Sequence, residues 1–263
     1  MTRDAGGTQE PTKEGGILPA YRTSVYIACS PQSHVGTTFA ARLLLDFFLS
    51  HPEPALGFDT NPSNPSLAVA FPARTDIVDL ATTRGQMELF DRLIVNDAVT
   101  KVVDLWHVSY AQFFSLTETT GFFQEARSRG VRVVVLLMMD QKGRFATEFQ
   151  RLLSRRPDLD TVLIKDEALT TFPADEPRPV ARSSDRKLVL PRLDTALCQL
   201  LNQPEFLSER FVRGSVPGAM TDLQAGMRAA LLPVFEQFHA LVVAGELGMP
   251  VQTLLRQHPR LPL

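Results

Sequence analysis

Residues able to do chemistry gather behind one short β-rich run. SVYIACS, residues 24–30, is followed by the loop PQSHVGTT and then by FAARLLLDFFLS, which is apolar on most faces. A strand, a glycine-containing loop and a helix in that order aim unpaired backbone N–H groups past the helix start, where an anion is favoured. Thr38, in the first helical turn, could give a hydroxyl to a divalent cation on a phosphate. Acids end two later apolar runs, Asp59 in GFDTNPSNPSL and Asp104 in KVVDLW. The plain alternative is a strand-to-helix turn of some other α/β protein, and the loop alone leaves both readings open.

Laid on the pattern K-G-G-x-G-K-T-T, the loop resembles the deviant phosphate loop of the ParA/MinD family. Val35, Gly36 and Thr38 agree with it. Gln32 stands where the signature Lys would be, Ser33 and His34 replace two glycines, and Thr37 replaces the Lys of the ordinary P-loop. The resemblance continues with Asp59, Asn61 and Pro62 on the family's D-x-D-P. It puts Asn61, an amide that cannot take a proton, where an acid orients the attacking water. It assigns Asp104 to the acid that holds Mg²⁺ through water. Leu105, Trp106 and His107 then replace a small, mobile switch. TVLIKDEAL and KLVLPRLD fall where the family contacts the purine, which singles out Lys165 or Asp166, and Pro191. The likeness runs from about Ser24 to Leu201 and rests on the order and spacing of four segments. The D-T-x-P-x-N wording is shared with the plasmid-mobilisation branch of the family.

The resemblance implies a bacterial, P-loop NTPase-like protein: a parallel twisted sheet flanked by helices. Its departures imply a pseudo-ATPase. Neither Gln32 nor Thr37 can supply the positive charge a polyphosphate needs. No catalytic residue is assigned, ATP and Mg²⁺ are expected to bind weakly or not at all, and Thr38 and Asp104 become vestigial Mg²⁺ positions. The expected role is a scaffold or adaptor for a protein partner, in positioning, partition or assembly of a larger machine. A homodimer, or a heterodimer with a catalytic relative, would use the same face. Trp106 and Tyr110, large aromatics in the segment after Asp104, are the candidate partner-binding residues; the alternative for Trp106 is a plug over the phosphate site. The alternative function is a weak or atypical Mg-ATP-dependent ATPase in partition or plasmid mobilisation, in which Thr38, Asp59 and Asp104 would still position Mg²⁺.

The rest of the chain bounds these readings. With Lys plus Arg at 27 and Asp plus Glu at 29, the charge balance announces no nucleic acid. Arg151, Arg155, Arg156 and the basic loop 178–187 raise DNA as a lesser expectation beside a solvated helix end. Two cysteines form no disulfide framework, and no histidine pairs at metal-ligand spacing. No run reaches the ~20 apolar residues of a membrane span. A cytoplasmic protein is expected, recruited at most to a membrane-associated complex. Residues 1–21 read as a disordered segment, and 22–263 as one α/β domain with a helical C-terminal region from about 193.

Alternation of apolar runs and helical periods predicts about six strand–helix repeats, hence a parallel sheet. VRVVVLLMM is continuous enough to be buried on both faces. Helices are expected over 85–96, with Met87, Phe90, Leu93 and Ile94 at helical spacing, and over 109–129 (despite Gly121), 144–155, 193–202 and 221–245. The last begins with Thr221 as N-cap and carries the stripe Leu223, Met227, Leu231, Val234, Phe238 and Leu241.

Overall fold

The computed structural model describes residues 21–139, 154, 159–167, 187–214 and 217–246. The expected disordered N-terminal segment (Tyr21 apart), the expected helix 144–155 (Ser154 apart), the basic loop 178–187 (Lys187 apart) and residues 247–263 lie outside the described residues.

Among the described residues, seven strands form one all-parallel sheet: β1 (Thr23–Cys29), β2 (Ala55–Asp59), β3 (Thr75–Ile77), β4 (Thr100–Leu105), β5 (Val131–Met138), β6 (Asp160–Asp166) and β7 (Lys187–Leu190). Their lateral order is β3-β2-β4-β1-β5-β6-β7. The expected class, α/β with a parallel sheet between helices, is what folds. β3 is the strand that the pattern did not reveal; three residues are too short to display a period.

Alternate residues of each strand feed opposite cores. Tyr26 and Ala28 of β1 face α1 (Thr37–Leu49), α2 (Ser66–Ala70) and the helical C-terminal region, while Val25, Ile27 and Cys29 face α3 (Thr83–Leu93), α4 (Tyr110–Thr120) and α5 (Phe122–Ser128). That is why the strands read as continuous apolar runs. The all-round apolar character of α1 has the same cause: every residue from Ala40 to Phe48 is buried, Arg42 and Asp46 included. Phe47 meets Phe235 and Phe238, which ties α1 to the long last helix.

Three local expectations are corrected. The single helix over 109–129 is two, because Gly121 adopts φ +66°, a left-handed conformation that closes α4 and opens α5. Met87 is solvent-exposed rather than on the apolar stripe of α3, which is carried by Leu89 and Leu93. Thr221 is already helical: a 3₁₀ turn, Gly218–Met220, precedes it and takes the N-cap's place.

The C-terminal region holds α6 (Thr195–Leu201), α7 (Ser208–Arg213) and α8 (Thr221–Glu246). Met227, Leu231, Val234, Phe238 and Leu241 of the expected stripe are buried, with Leu223 packed at its margin. By length and composition α8, over Thr221–Ala244, is apolar enough to cross a membrane, contrary to the expectation that no stretch is. Its buried side chains belong to the core against the sheet.

Candidate functional site

Strand order creates the site. The chain leaves β1 past β4 toward β2, and leaves β4 past β1 toward β5. The loops after these adjacent strands therefore depart in opposite directions and open a crevice between them. In open parallel sheets such a switch point, beyond the carboxyl ends of the strands, is the usual ligand position. Register puts the ends level: Cys29 pairs with Leu105, Ala28 with Asp104, and Asp59 with Asp104.

A cleft of about 320 Å³ lies there. Of the residues named from sequence, Gln32, Ser33, His34, Gly36, Thr37, Thr38, Asn61, Asp104 and Trp106 line it. Leu105 and His107, named from sequence with Trp106 in the switch segment, line it too, and three further residues of the lining carried no predicted role: Phe39, Asn64 and Ser66. Asn64 comes from the loop after β2 and Ser66 opens α2, and neither carries a local signal that it would line the cleft. Val35 is buried in the core instead. Lys165 on β6 and Pro191 after β7 are half-buried and are not among the residues that line it. Tyr110 is buried, its ring 4.8 Å from that of Phe114, so it is no surface anchor.

Two residues of the loop adopt the left-handed backbone conformation. His34 stands at φ +58° and Gly36 at φ +85°. Gly36 is required twice over. A Cβ there would sit 2.5 Å from Oδ2 of Asp166, besides demanding the left-handed conformation. α1 then starts with no side-chain cap, and its first internal bond is Ala40 N–H to Gly36 O at 2.9 Å. The N–H groups of the turn before it have no intrahelical acceptor.

The acids have internal duties. Asp59 is fully buried. Its Oδ1 accepts the N–H of Asn61 at 3.0 Å, and its Oδ2 accepts those of Leu67 at 2.8 Å and Ala68 at 3.3 Å, which caps α2. Burial raises its pKa, and these bonds oppose the rise. Asp104 is pushed up to about 7, first by burial and further by the charge of Asp59, with the neighbouring Thr38 hydroxyl opposing. Thr60, which sequence reasoning passed over, joins the strand ends through Asp104 and Trp106.

A magnesium nucleotide, which the resemblance implies, does not match these groups. The cleft lining holds no Lys or Arg among the described residues. The carboxylate of Asp166 lies over Gly36, where a phosphate would need to approach. The oxygens of Asp59 are committed to three backbone donors. No chemical step follows from this arrangement. It offers amides, hydroxyls, two imidazoles and one indole around the Asp104 carboxyl.

No protein-family model, no curated protein and no solved structure matches the chain.

Proposed function

We propose that this protein is a degenerate, non-hydrolysing relative of the ParA/MinD type that acts as a scaffold or adaptor for a protein partner. One observation carries the reading. The cleft sits where a phosphate loop would work, yet its described walls hold no Lys or Arg, and the carboxylate of Asp166 lies over Gly36. Transition-state stabilisation in phosphoryl transfer is almost wholly positioning and positive charge, so this cleft lacks the means. The segment that follows Asp104 is bulky and half-exposed: Trp106 and His107 border the cleft and Val108 is 60% exposed. Such residues suit a fixed contact surface, with Trp106 as anchor.

A second reading, a weak ATPase, draws support from the closeness of Thr38 to Asp104 and from the uncapped start of α1. Calorimetry with Mg-ATP on the full chain, paired with a phosphate-release assay, separates the two. Millimolar or absent binding without turnover is expected. Micromolar binding, or turnover that vanishes in Thr38→Ala, would reject the adaptor reading in favour of the ATPase.

A further inference from the structure

We propose that Thr60 is a positioning residue that sets the segment Trp106–Tyr110 in one arrangement, independent of any ligand. Thr60 is fully buried just past the end of β2. Its backbone N–H donates to the carbonyl of Asp104 at 3.1 Å, and its hydroxyl donates to the same carbonyl at 3.0 Å. The hydroxyl oxygen in turn accepts the N–H of Trp106 at 2.8 Å. The last ladder pair of β2 and β4 is Asp59 with Asp104. The Thr60 side chain therefore takes over where the backbone ladder stops and carries it to the cleft.

From there backbone bonds close the turn that leads into α4. Ser109 N–H reaches Trp106 O at 2.9 Å, which closes the 3₁₀ turn His107–Ser109, and Tyr110 N–H reaches His107 O. Tyr110 then buries its ring at the start of α4. A segment that answers a ligand needs a second arrangement close in energy. Moving Trp106 would leave a buried hydroxyl without its donor, a loss worth about tenfold in equilibrium. With Thr60 in place the backbone that presents Trp106 and Val108 is preorganised rather than switched.

This inference rests on reading the cleft as a degenerate nucleotide site, and the experiment keeps the two apart. Hydrogen–deuterium exchange is followed over residues 105–110 in the full chain, in Thr60→Val and in Thr60→Ser. Acrylamide quenching of Trp106, the sole tryptophan, runs alongside. Thr60→Val removes the hydroxyl at nearly constant volume. It should speed exchange in this segment about tenfold and expose Trp106 to quencher, while Thr60→Ser keeps wild-type protection. Unchanged exchange and quenching in a folded Thr60→Val, or loss of protection in Thr60→Ser, overturns the proposal. Should Thr60→Val not fold, Thr60→Ala against Thr60→Ser makes the same comparison. Millimolar Mg-ATP added to the wild type should leave the segment unchanged. A shift there overturns the ligand-independence and the degenerate-site reading together, whereas a failed Thr60→Val arm leaves that reading standing.

Discussion

The carboxylate of Asp46 on α1 accepts the backbone N–H of Ser208 at 2.8 Å, across 162 positions of sequence, and caps the first turn of α7. The Ser208 hydroxyl and the Glu209 N–H donate to it as well. One buried acid thus fastens the C-terminal helices to the helix that opens the cleft.

Asp46 predicts a pH dependence. Burial lifts its pKa from 3.8 to about 6, against the opposing effect of the Ser208 and Glu209 bonds and the Arg42 charge. Because the folded pKa lies above the unfolded one, the folded state holds the extra proton between these values. The acid's contribution is most favourable below about pH 4, declines as pH rises, and has levelled off at its least favourable above about pH 6. The window corresponds to at most about 3 kcal/mol. Asp104, also raised, acts in the same sense up to about pH 7. Urea unfolding of wild type and Asp46→Asn at several pH values checks this. The variant should show a shallower decline from pH 4 to 6; parallel profiles would remove Asp46 from the account.

Gly36 and Gly121 predict a graded pair. Both adopt positive φ, but a Cβ on Gly121 would meet nothing within 4 Å, whereas one on Gly36 would strike Asp166. Gly121→Ala should cost about 1 kcal/mol from the backbone alone. Gly36→Ala should cost about 2–3 kcal/mol, since Asp166 must also move. Chemical denaturation of both variants measures the difference. Equal losses would mean that Asp166 yields freely.

Restoring the lost charge should restore anion affinity. Gln32 and Thr37 both line the cleft. Each new lysine that makes a charge-assisted bond is worth about 1.5–3 kcal/mol. Gln32→Lys with Thr37→Lys should therefore tighten ATP binding by about two to four decades. Adding Asp166→Asn, which removes the carboxylate over Gly36, should tighten it further. Calorimetry on the three proteins decides it. A flat series would show that the loop cannot accept a phosphate whatever its charge.

Trp106 separates surface from plug. Its backbone is held by Thr60 and its ring is half-buried at the cleft wall, against His107 at 5.8 Å. Trp106→Ala should leave the melting temperature within a few degrees. It should also weaken self-association or partner binding in analytical ultracentrifugation by about 30-fold, as for a hot-spot residue worth about 2 kcal/mol. A large drop in melting temperature with full-strength association would identify a plug instead.

Sequence by itself determined six of the seven strands, the first helix with the loop before it, and the long last helix, but not the short β3, α2 and α7. Those properties live in local pattern: unbroken apolar runs at β1, β4 and β5, and the stripe from Met227 to Leu241 on α8. It also located most of the cleft wall, because Gln32–Thr38 and Asp104 each follow directly from a strand end. What local pattern cannot encode is lateral order. Only the folded sheet set β4 on one side of β1, which brought Asp104 to Thr38, and β5 and β6 on the other, which brought Asp166 to Gly36. The same holds for duty: Asp59 read as a cation ligand, yet the fold of the loop after β2 turns its carboxylate onto the N–H groups of α2. Thr60 and Asp46 are ordinary residues in the sequence. Their roles arise because buried polar groups must find partners, and in a crossover-connected sheet those partners lie 44, 46 and 162 positions away.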